Sequence, residues 1–254
     1  MKIICLVPSI TETLIACEAD IVGRSRFCIH PADSLDSIPK VGGTKDINWQ
    51  KVAHLEPDLV ILDKEENTLE MATSCPYDYI ALHITSINDV AVELTRLAKK
   101  ISNAKLEQIA NRWRKVSTTS YQLPSLKDLP GVIEWWKEPT SQTSVEYLIW
   151  QDPWMAIGEN TFIQSVLDFC GLQQAKVKQP EKYPQVNIEH YSRENVVLLF
   201  SSEPYPFERY KTEMLDLGFS CGLIDGEKYS WYGIRSLNFL ESLVSPLSLK
   251  IEDY

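Results

Sequence analysis

Short apolar runs alternate with stretches of helical periodicity along the first hundred residues. The runs at residues 3–7, 59–62 and 79–82 are rich in apolar side chains, which is typical of short strands covered on both faces. Residues 8–17, after the first run, place apolar side chains at helical spacing. Alternation of this kind predicts a parallel sheet with helices on both of its faces.

The same periodicities predict the remaining elements. Further strands are predicted at residues 21–23, 132–136, 145–150, 196–200 and 220–224. Further helices are predicted at residues 49–55, 67–73, 87–102, 103–122, 162–170 and 207–217, and from residue 234 onward. The helix of residues 103–122 would be roughly 30 Å long, which is long enough to cross from one lobe to another.

The opening stretch MKIICLVPSITETLIACEA allows two interpretations. Residues 14–17, LIAC, resemble the cleavage box of a lipoprotein export signal, but such signals need an unbroken apolar core of about 7–15 residues. Here Pro8 and Glu12 interrupt it. We therefore predict a strand, a turn and a helix, with Ser9 and Glu12 forming a capping box and Cys17 packed on the helix.

Composition excludes several classes of function. A net charge of −10 argues against nucleic-acid binding, and no run approaches the ~20 apolar residues of a membrane-spanning helix. The six cysteines are scattered without a CxxC pair, which predicts reduced, mostly buried thiols. With no usable export signal, the chain as given is predicted to be cytoplasmic; it would be periplasmic or on the cell surface if a signal had been removed.

Candidate binding residues lie in the loops that follow predicted strands, where α/β proteins bind ligands. Several large aromatic side chains fall there, and flat rings stack well on planar ligands: Trp150, Trp154, Tyr205, Trp231 and Tyr232. The loop Lys64-Glu65-Glu66-Asn67 directly follows a strand, and a faint internal repeat aligns Glu65 with Glu203. This loop is either a solvated helix-capping turn or a contact for ligand or partner. Arg235 is predicted to pair with an acidic group of the ligand or with a carboxylate of the protein.

The loop FCIHP contains Cys28 and His30 close together. A zinc site needs three or four ligands, and only His54, His83 and His190 remain to supply histidines. We therefore predict no metal site, a packed Cys28 and a pocket-lining His30. A Cys28–His30 nucleophile pair stays open as an alternative.

Catalytic motifs are missing from the sequence. It contains no glycine-rich phosphate loop, no GxSxG elbow and no HExxH. We predict no catalytic residues and no cofactor, and expect a binding protein rather than an enzyme.

The stretches VPSITETL, VGGTKDINWQKVAHLEPDLVIL, KEEN, SSEPYPF and SWYGIR resemble the helical-backbone metal receptor family. This family comprises the class III substrate-binding proteins of cobalamin and iron-chelate ABC importers. The resemblance implies an α/β fold of two Rossmann-like lobes with mostly parallel sheets, joined by a single long backbone helix. It divides the chain into an N-terminal lobe of residues 1–102, a bridging helix of residues 103–122 and a C-terminal lobe of residues 123–254.

The resemblance also implies a function. It predicts a monomer that binds a corrinoid in the cleft between its lobes, or alternatively a ferric siderophore or haem. The expected ligand contacts are His30, Lys64, Glu65, Trp150, Trp154, Tyr205, Trp231, Tyr232 and Arg235. Glu66 and Glu203 would dock on arginines of a membrane permease. An intracellular enzyme or cofactor handler that uses the same cleft is the alternative from another class.

Overall fold

The computed structural model describes residues 1–175 and 181–244 of the chain. The chain divides into two compact units. The N-terminal unit comprises residues 1–118 and 231–238, and the C-terminal unit comprises residues 119–230 and 239–254.

The N-terminal unit contains a five-stranded sheet in the order β3-β2-β1-β4-β5. All four strand pairs are parallel. The strands are β1 (Ile3–Cys5), β2 (Ile21–Ser25), β3 (Lys40–Gly42), β4 (Leu59–Asp63) and β5 (Tyr79–Leu82). The central strands β1 and β4 are buried along their whole length, as their continuous apolar runs predict.

The helices of residues 1–118 are α1 (Pro8–Ala16), α2 (Ala32–Leu35), α3 (Trp49–Val52), α4 (Leu69–Thr73), α5 (Ile87–Ile101) and α6 (Ala104–Val116). The strand and helix predicted for the opening stretch are confirmed, and Cys17 is buried. The predicted capping box is wrong. Helix α1 begins at Pro8, with Val7 as its N-cap, because proline is well suited to the first helical position. Ser9 therefore lies inside the helix.

Helices α5 and α6 are separated where the sequence predicts. Ser102 adopts a left-handed φ of 52° that ends α5, and the Asn103 side chain accepts a hydrogen bond from the Leu106 N–H to begin α6. Helix α6 ends at Val116, six residues before the predicted end at residue 122. Residues 117–120, which follow Val116, are serines and threonines, and these residue types favour caps and turns over helix interiors. The predicted bridging role of residues 103–122 stays a prediction.

The C-terminal unit contains a mixed sheet in the order β6-β10-β9-β7-β8. Its strands are β6 (Val132–Lys137), β7 (Ser144–Trp150), β8 (Met155–Ala156), β9 (Val196–Ser201) and β10 (Ser220–Ile224). The three central strands are parallel, and the edge strands β6 and β8 are antiparallel to their neighbours. The expectation of an α/β fold with mostly parallel sheets is confirmed.

The remaining helices are α7 (Phe162–Phe169), α8 (Lys211–Asp216), α9 (Gly226–Ser230) and α10 (Ile234–Val244). The predicted helix 207–217 is two elements, a 3-10 turn at Phe207–Tyr210 followed by α8. Residues 226–230, between the predicted strand 220–224 and the predicted helix from residue 234, form the five-residue helix α9, which is too short to show a helical period. Strand β8 was missed because it has only two residues.

The six cysteines are free, and all but the half-buried Cys75 are buried, as predicted. Within the described part of the chain, no helix combines the length and apolar character needed to cross a membrane.

Candidate functional site

The carboxyl ends of parallel strands are the usual binding edge of an α/β sheet. In the N-terminal unit, this edge carries the loops after β2 and β4. In the C-terminal unit, it carries the loops after β7, β9 and β10. Most of the predicted contact residues lie on these loops.

The loop after β2 alternates buried and exposed side chains. Cys28 is fully buried, and its Sγ lies 3.1 Å from Thr11 Oγ1 and 3.3 Å from Ser25 Oγ. Burial raises the pKa of the Cys28 thiol. The thiol is therefore held in its protonated form, which is the reverse of an activated nucleophile.

The two side chains that alternate with this thiol point the other way. Phe27 is 50% exposed and Ile29 is 51% exposed, although both are apolar. Arg26 lies over the Phe27 ring at 5.2 Å. Sequence reasoning concentrated on Cys28 and His30 and missed this exposed apolar pair, which simple alternation along an extended loop would have found.

Residues 231–235 belong to the N-terminal unit. The Trp231 ring packs edge-on against His30, with centroids 5.3 Å apart. Trp231 and Tyr232 are both buried, and their contact with a ligand stays a prediction. Gly233 permits the close fit, since a Cβ there would lie 2.2 Å from Thr13 Oγ1 and 2.4 Å from the Ser9 carbonyl oxygen.

Arg235 pairs with a carboxylate of the protein, which is the second of the two alternatives predicted for it. Its Nη2 donates to Glu12 Oε1 at 2.7 Å and its Nε donates to Glu12 Oε2 at 3.1 Å. The backbone N–H of Ile234 donates to Thr13 Oγ1 at 2.9 Å. These bonds hold the segment on helix α1, and a bidentate geometry of this kind is the stronger form of ion pair. A ligand contact by Arg235 stays a prediction.

Asp63, the last residue of β4, organises the loop Lys64–Asn67 and was missed in the sequence. Its Oδ1 accepts the backbone N–H groups of Glu65 and Glu66 at 2.7 and 3.2 Å. The Asn67 side chain accepts the Asp63 N–H at 2.8 Å. Burial raises the pKa of Asp63, whereas the two backbone N–H groups and Tyr232 lower it. The loop is thus a turn held by internal hydrogen bonds.

The side chains of this loop differ in exposure. Lys64 is exposed, while Glu65 and Glu66 are half-buried. Glu65 Oε1 lies 3.3 Å from His83 Nε2 at the end of β5. The turn geometry confirms neither ligand contact by Lys64 and Glu65 nor permease docking by Glu66, and both roles stay predictions.

The C-terminal unit brings three of the predicted aromatic side chains together at the carboxyl edge of its sheet. Trp150, at the end of β7, is 41% exposed and meets Tyr205 edge to face, with ring centroids 5.2 Å apart. The Tyr205 hydroxyl donates to Gln151 Oε1 at 3.2 Å. Tyr210, which is 37% exposed, lies 5.5 Å from Tyr205. We call Trp150, Trp154, Tyr205 and Tyr210 the aromatic platform.

The platform rests on a buried aromatic base. Phe207 is fully buried, and its ring lies 4.6 Å from Tyr205 and 4.9 Å from Phe200. Trp154 is parallel to Phe207 within 2°, with centroids 6.2 Å apart. Trp154 and Tyr205 are therefore packed against the core, while Trp150 and Tyr210 contact Tyr205 and keep exposed surface. Tyr210 was overlooked because it lies in a segment predicted as one continuous helix.

Glu203 lies beside the platform, after β9. Its Oε1 accepts a hydrogen bond from Ser230 Oγ at 3.2 Å, and a Cβ on Gly226 would approach its Cγ to 2.7 Å. Glu203 is half-buried. The carboxylate is thus held within its own unit, and its predicted docking role stays a prediction.

Within residues 1–175 and 181–244, no group of three or more His, Cys, Asp or Glu side chains could hold a metal ion.

The first third of the chain matches a known family. The family model described as periplasmic binding protein matches residues 3–85, about a third of the chain. No curated protein sequence matches the chain.

Solved structures resemble the chain over nearly its whole length. The periplasmic vitamin B12 binding protein of Vibrio cholerae has a TM-score of 0.66 at 17% identity, covering 98% of this chain and 96% of that one. A periplasmic heme binding protein from Pseudomonas aeruginosa has a TM-score of 0.69 at 16% identity, with coverages of 99% and 94%. An ABC transporter substrate-binding protein from Listeria monocytogenes has a TM-score of 0.68 at 14% identity, with coverages of 95% and 96%. The predicted resemblance and the predicted fold are confirmed.

Proposed function

We propose that this chain is the substrate-binding protein of an ABC-type importer and that it binds a flat macrocyclic ligand. A corrinoid is the first candidate, and a ferric siderophore or haem is the second. The observation that carries the proposal is the aromatic platform, in which Trp150, Tyr205 and Tyr210 present accessible rings at the carboxyl edge of the C-terminal sheet.

The platform suits a flat ligand for a physical reason. A tryptophan or tyrosine ring buries a large area on contact while losing little conformational freedom. Packing against Phe207 already fixes Trp154 and Tyr205, so binding orders few additional side chains. Pre-organisation of this kind lowers the entropic cost of binding.

The N-terminal unit supplies different chemistry at the same edge of its own sheet. Phe27 and Ile29 offer exposed apolar surface, while Lys64, Glu65 and His30 offer polar groups that could orient amide or phosphate groups of a ligand. Trp231 and Tyr232 are buried beside this edge, where Trp231 packs against His30. Glu66 and Glu203 remain the proposed contacts for a permease, and importer function implies that the protein works in the periplasm or at the cell surface.

The rival proposal, an enzyme that uses Cys28 and His30, has less support. Cys28 is buried with a raised thiol pKa, and its sulfur contacts two hydroxyl groups. A binding protein without a covalent step accounts for this packing more simply.

Titration with cyanocobalamin, dicyanocobinamide, haemin and a ferric siderophore tests the proposal. At least one of them should quench the tryptophan fluorescence, after correction for light that the ligand absorbs. The same ligand should stabilise the protein, by about 2.7 kcal/mol when its concentration is 100 times its Kd. Trp150→Ala should weaken its binding by about ten- to a hundredfold, which corresponds to a lost contact of about 1.4–2.8 kcal/mol.

Trp135→Phe is the matched control. Trp135 lies in the middle of β6, opposite Gly222, away from the carboxyl edge, so its replacement should leave affinity unchanged. If none of the four ligands changes fluorescence or stability, or if the two variants lose affinity equally, the proposed function is wrong.

A further inference from the structure

Carboxylates flank the aromatic platform. Asp152 lies between Trp150 and Trp154 in the chain, and Glu213 lies on α8, three residues after Tyr210. Both side chains are exposed. The pKa of the Tyr205 phenol is raised, first by desolvation and then by neighbouring groups that include Tyr210, Asp152 and Glu213. The chain itself places both carboxylates beside the platform, since Asp152 is two residues from Trp150 and from Trp154, and Glu213 lies about one helical turn after Tyr210.

The nearby lysines do not offset this charge. Lys211 Nζ is bound to Glu134 Oε1 at 2.5 Å, and Lys228 Nζ lies 3.0 Å from Asp225 Oδ2. On the 3-10 turn that contains Tyr210, the exposed Arg209 follows the exposed Glu208. Among the described residues that flank the platform in the chain, the exposed carboxylates of Asp152, Glu208 and Glu213 outnumber Arg209, so the rim of the platform is acidic.

We infer that the platform selects its ligand by charge. It accepts a planar ligand whose face towards the platform is uncharged or cationic, and it disfavours planar anions such as a porphyrin that carries several carboxylates or sulfonates. This inference rests on the proposed function and specifies the ligand class of the same site. Two effects act in the same direction, because cations are attracted to the faces of aromatic rings and anions are repelled by the carboxylates.

Two water-soluble porphyrins that share a macrocycle and differ in charge provide the probes. One carries cationic N-methylpyridyl groups and the other carries anionic sulfonatophenyl groups. The wild-type protein should bind the cationic porphyrin at least about tenfold more tightly at low salt. The preference should shrink as ionic strength rises, because salt screens exposed charges beyond about 10 Å at 0.1 M.

The decisive variant is the double replacement Asp152→Asn with Glu213→Gln. Each lost carboxylate should change the ratio of the two affinities by up to about fivefold, the effect of one exposed charge pair of about 1 kcal/mol. The matched control is Glu138→Gln with Glu194→Gln, which changes the net charge equally. Glu138 follows β6 and Glu194 precedes β9, so both lie at the opposite edge of the sheet, and the control should keep the wild-type ratio.

The outcomes separate this inference from the proposed function. Charge selection is supported if the preference for the cationic over the anionic porphyrin falls in the decisive variant and not in the control. Equal ratios in the two variants overturn it, even if dicyanocobinamide still binds and the proposed function stands. If dicyanocobinamide and the other candidate ligands fail to bind while the porphyrin ratio still responds only to the decisive variant, the proposed importer ligand is wrong and charge selection stands.

Discussion

Replacing Glu146 with Gln is expected to stabilise the C-terminal unit at pH 8 by about 4 kcal/mol and to change its stability little at pH 5. Glu146 lies in β7 opposite Leu198 and is buried. Its carboxyl shares a sheet face with Leu148, since alternate residues of a strand point the same way. Burial raises the pKa of Glu146 from 4.5 to about 8, with Tyr191 opposing the rise.

The sign of the pH effect follows from this shift. Between pH 4.5 and about 8 the folded protein keeps the Glu146 proton, whereas the unfolded chain has released it. Raising the pH therefore favours unfolding, at about 1.4 kcal/mol per pH unit. The contribution of the neutral carboxyl is fully present below the unfolded pKa and is lost as the pH rises through the folded pKa. Gln keeps the neutral shape and has no proton to release.

Urea unfolding at pH 5, 6, 7 and 8 measures this prediction. The wild-type free energy of unfolding should fall more steeply with pH than that of Glu146→Gln. The control Glu194→Gln changes an exposed residue and should follow the wild type. Parallel curves for the wild type and Glu146→Gln would contradict a neutral buried carboxyl.

Replacing Phe207 with Ala is expected to lower the free energy of unfolding by about 3–5 kcal/mol, the usual cost of removing a fully buried aromatic ring. Phe207 is fully buried and contacts Phe200, Tyr205 and Trp154. The cavity would also remove the base of the aromatic platform. Affinity for any flat ligand should therefore fall as well, measured at a temperature at which the variant remains folded.

Phe207→Leu separates the two effects. Leucine fills most of the space and should cost clearly less stability than alanine, yet it does not reproduce the flat surface parallel to Trp154. We expect Phe207→Leu to fold and to bind more weakly than the wild type. If Phe207→Ala unfolds at the same urea concentration as the wild type, the packing described for this base is wrong.

Elements with a strong apolar period could be predicted from the sequence. The strands at residues 79–82 and 220–224 have their predicted bounds, and α5, α6 and α10 begin at or within one residue of their predicted starts. The apolar period that reveals these elements is a local property of the sequence. The elements that were missed are short: β3, β8, α2 and α9 each have five residues or fewer.

Contacts between residues far apart in the chain could not be predicted. Ser9 and Glu12 have the spacing of a capping box, but Glu12 pairs with Arg235, which lies 223 residues away. Trp231 and Tyr232 follow a strand and a short helix as surface residues would, yet their segment packs on α1 and becomes buried. Such outcomes depend on tertiary packing, which local spacing does not encode.

The candidate site shows the same division. Aromatic residues after strands were found because strand ends are predictable, and Trp150, Trp154 and Tyr205 do come together. Tyr210 joins them because the predicted helix is divided at this residue, where the 3-10 turn Phe207–Tyr210 ends and α8 begins. Asp63 was missed because its role is to accept backbone N–H groups, a contact that depends on the turn itself.

The most direct test of the central claim is fluorine NMR of protein labelled with 5-fluorotryptophan. The chain contains seven tryptophans, and each resonance can be assigned by replacing one tryptophan at a time. Saturating dicyanocobinamide, or whichever candidate ligand binds, should shift the resonances of Trp150 and Trp154. It should leave those of the buried Trp113 and of Trp135 in place. A ligand that binds without shifting Trp150 or Trp154 would contradict the assignment of the aromatic platform as the binding site.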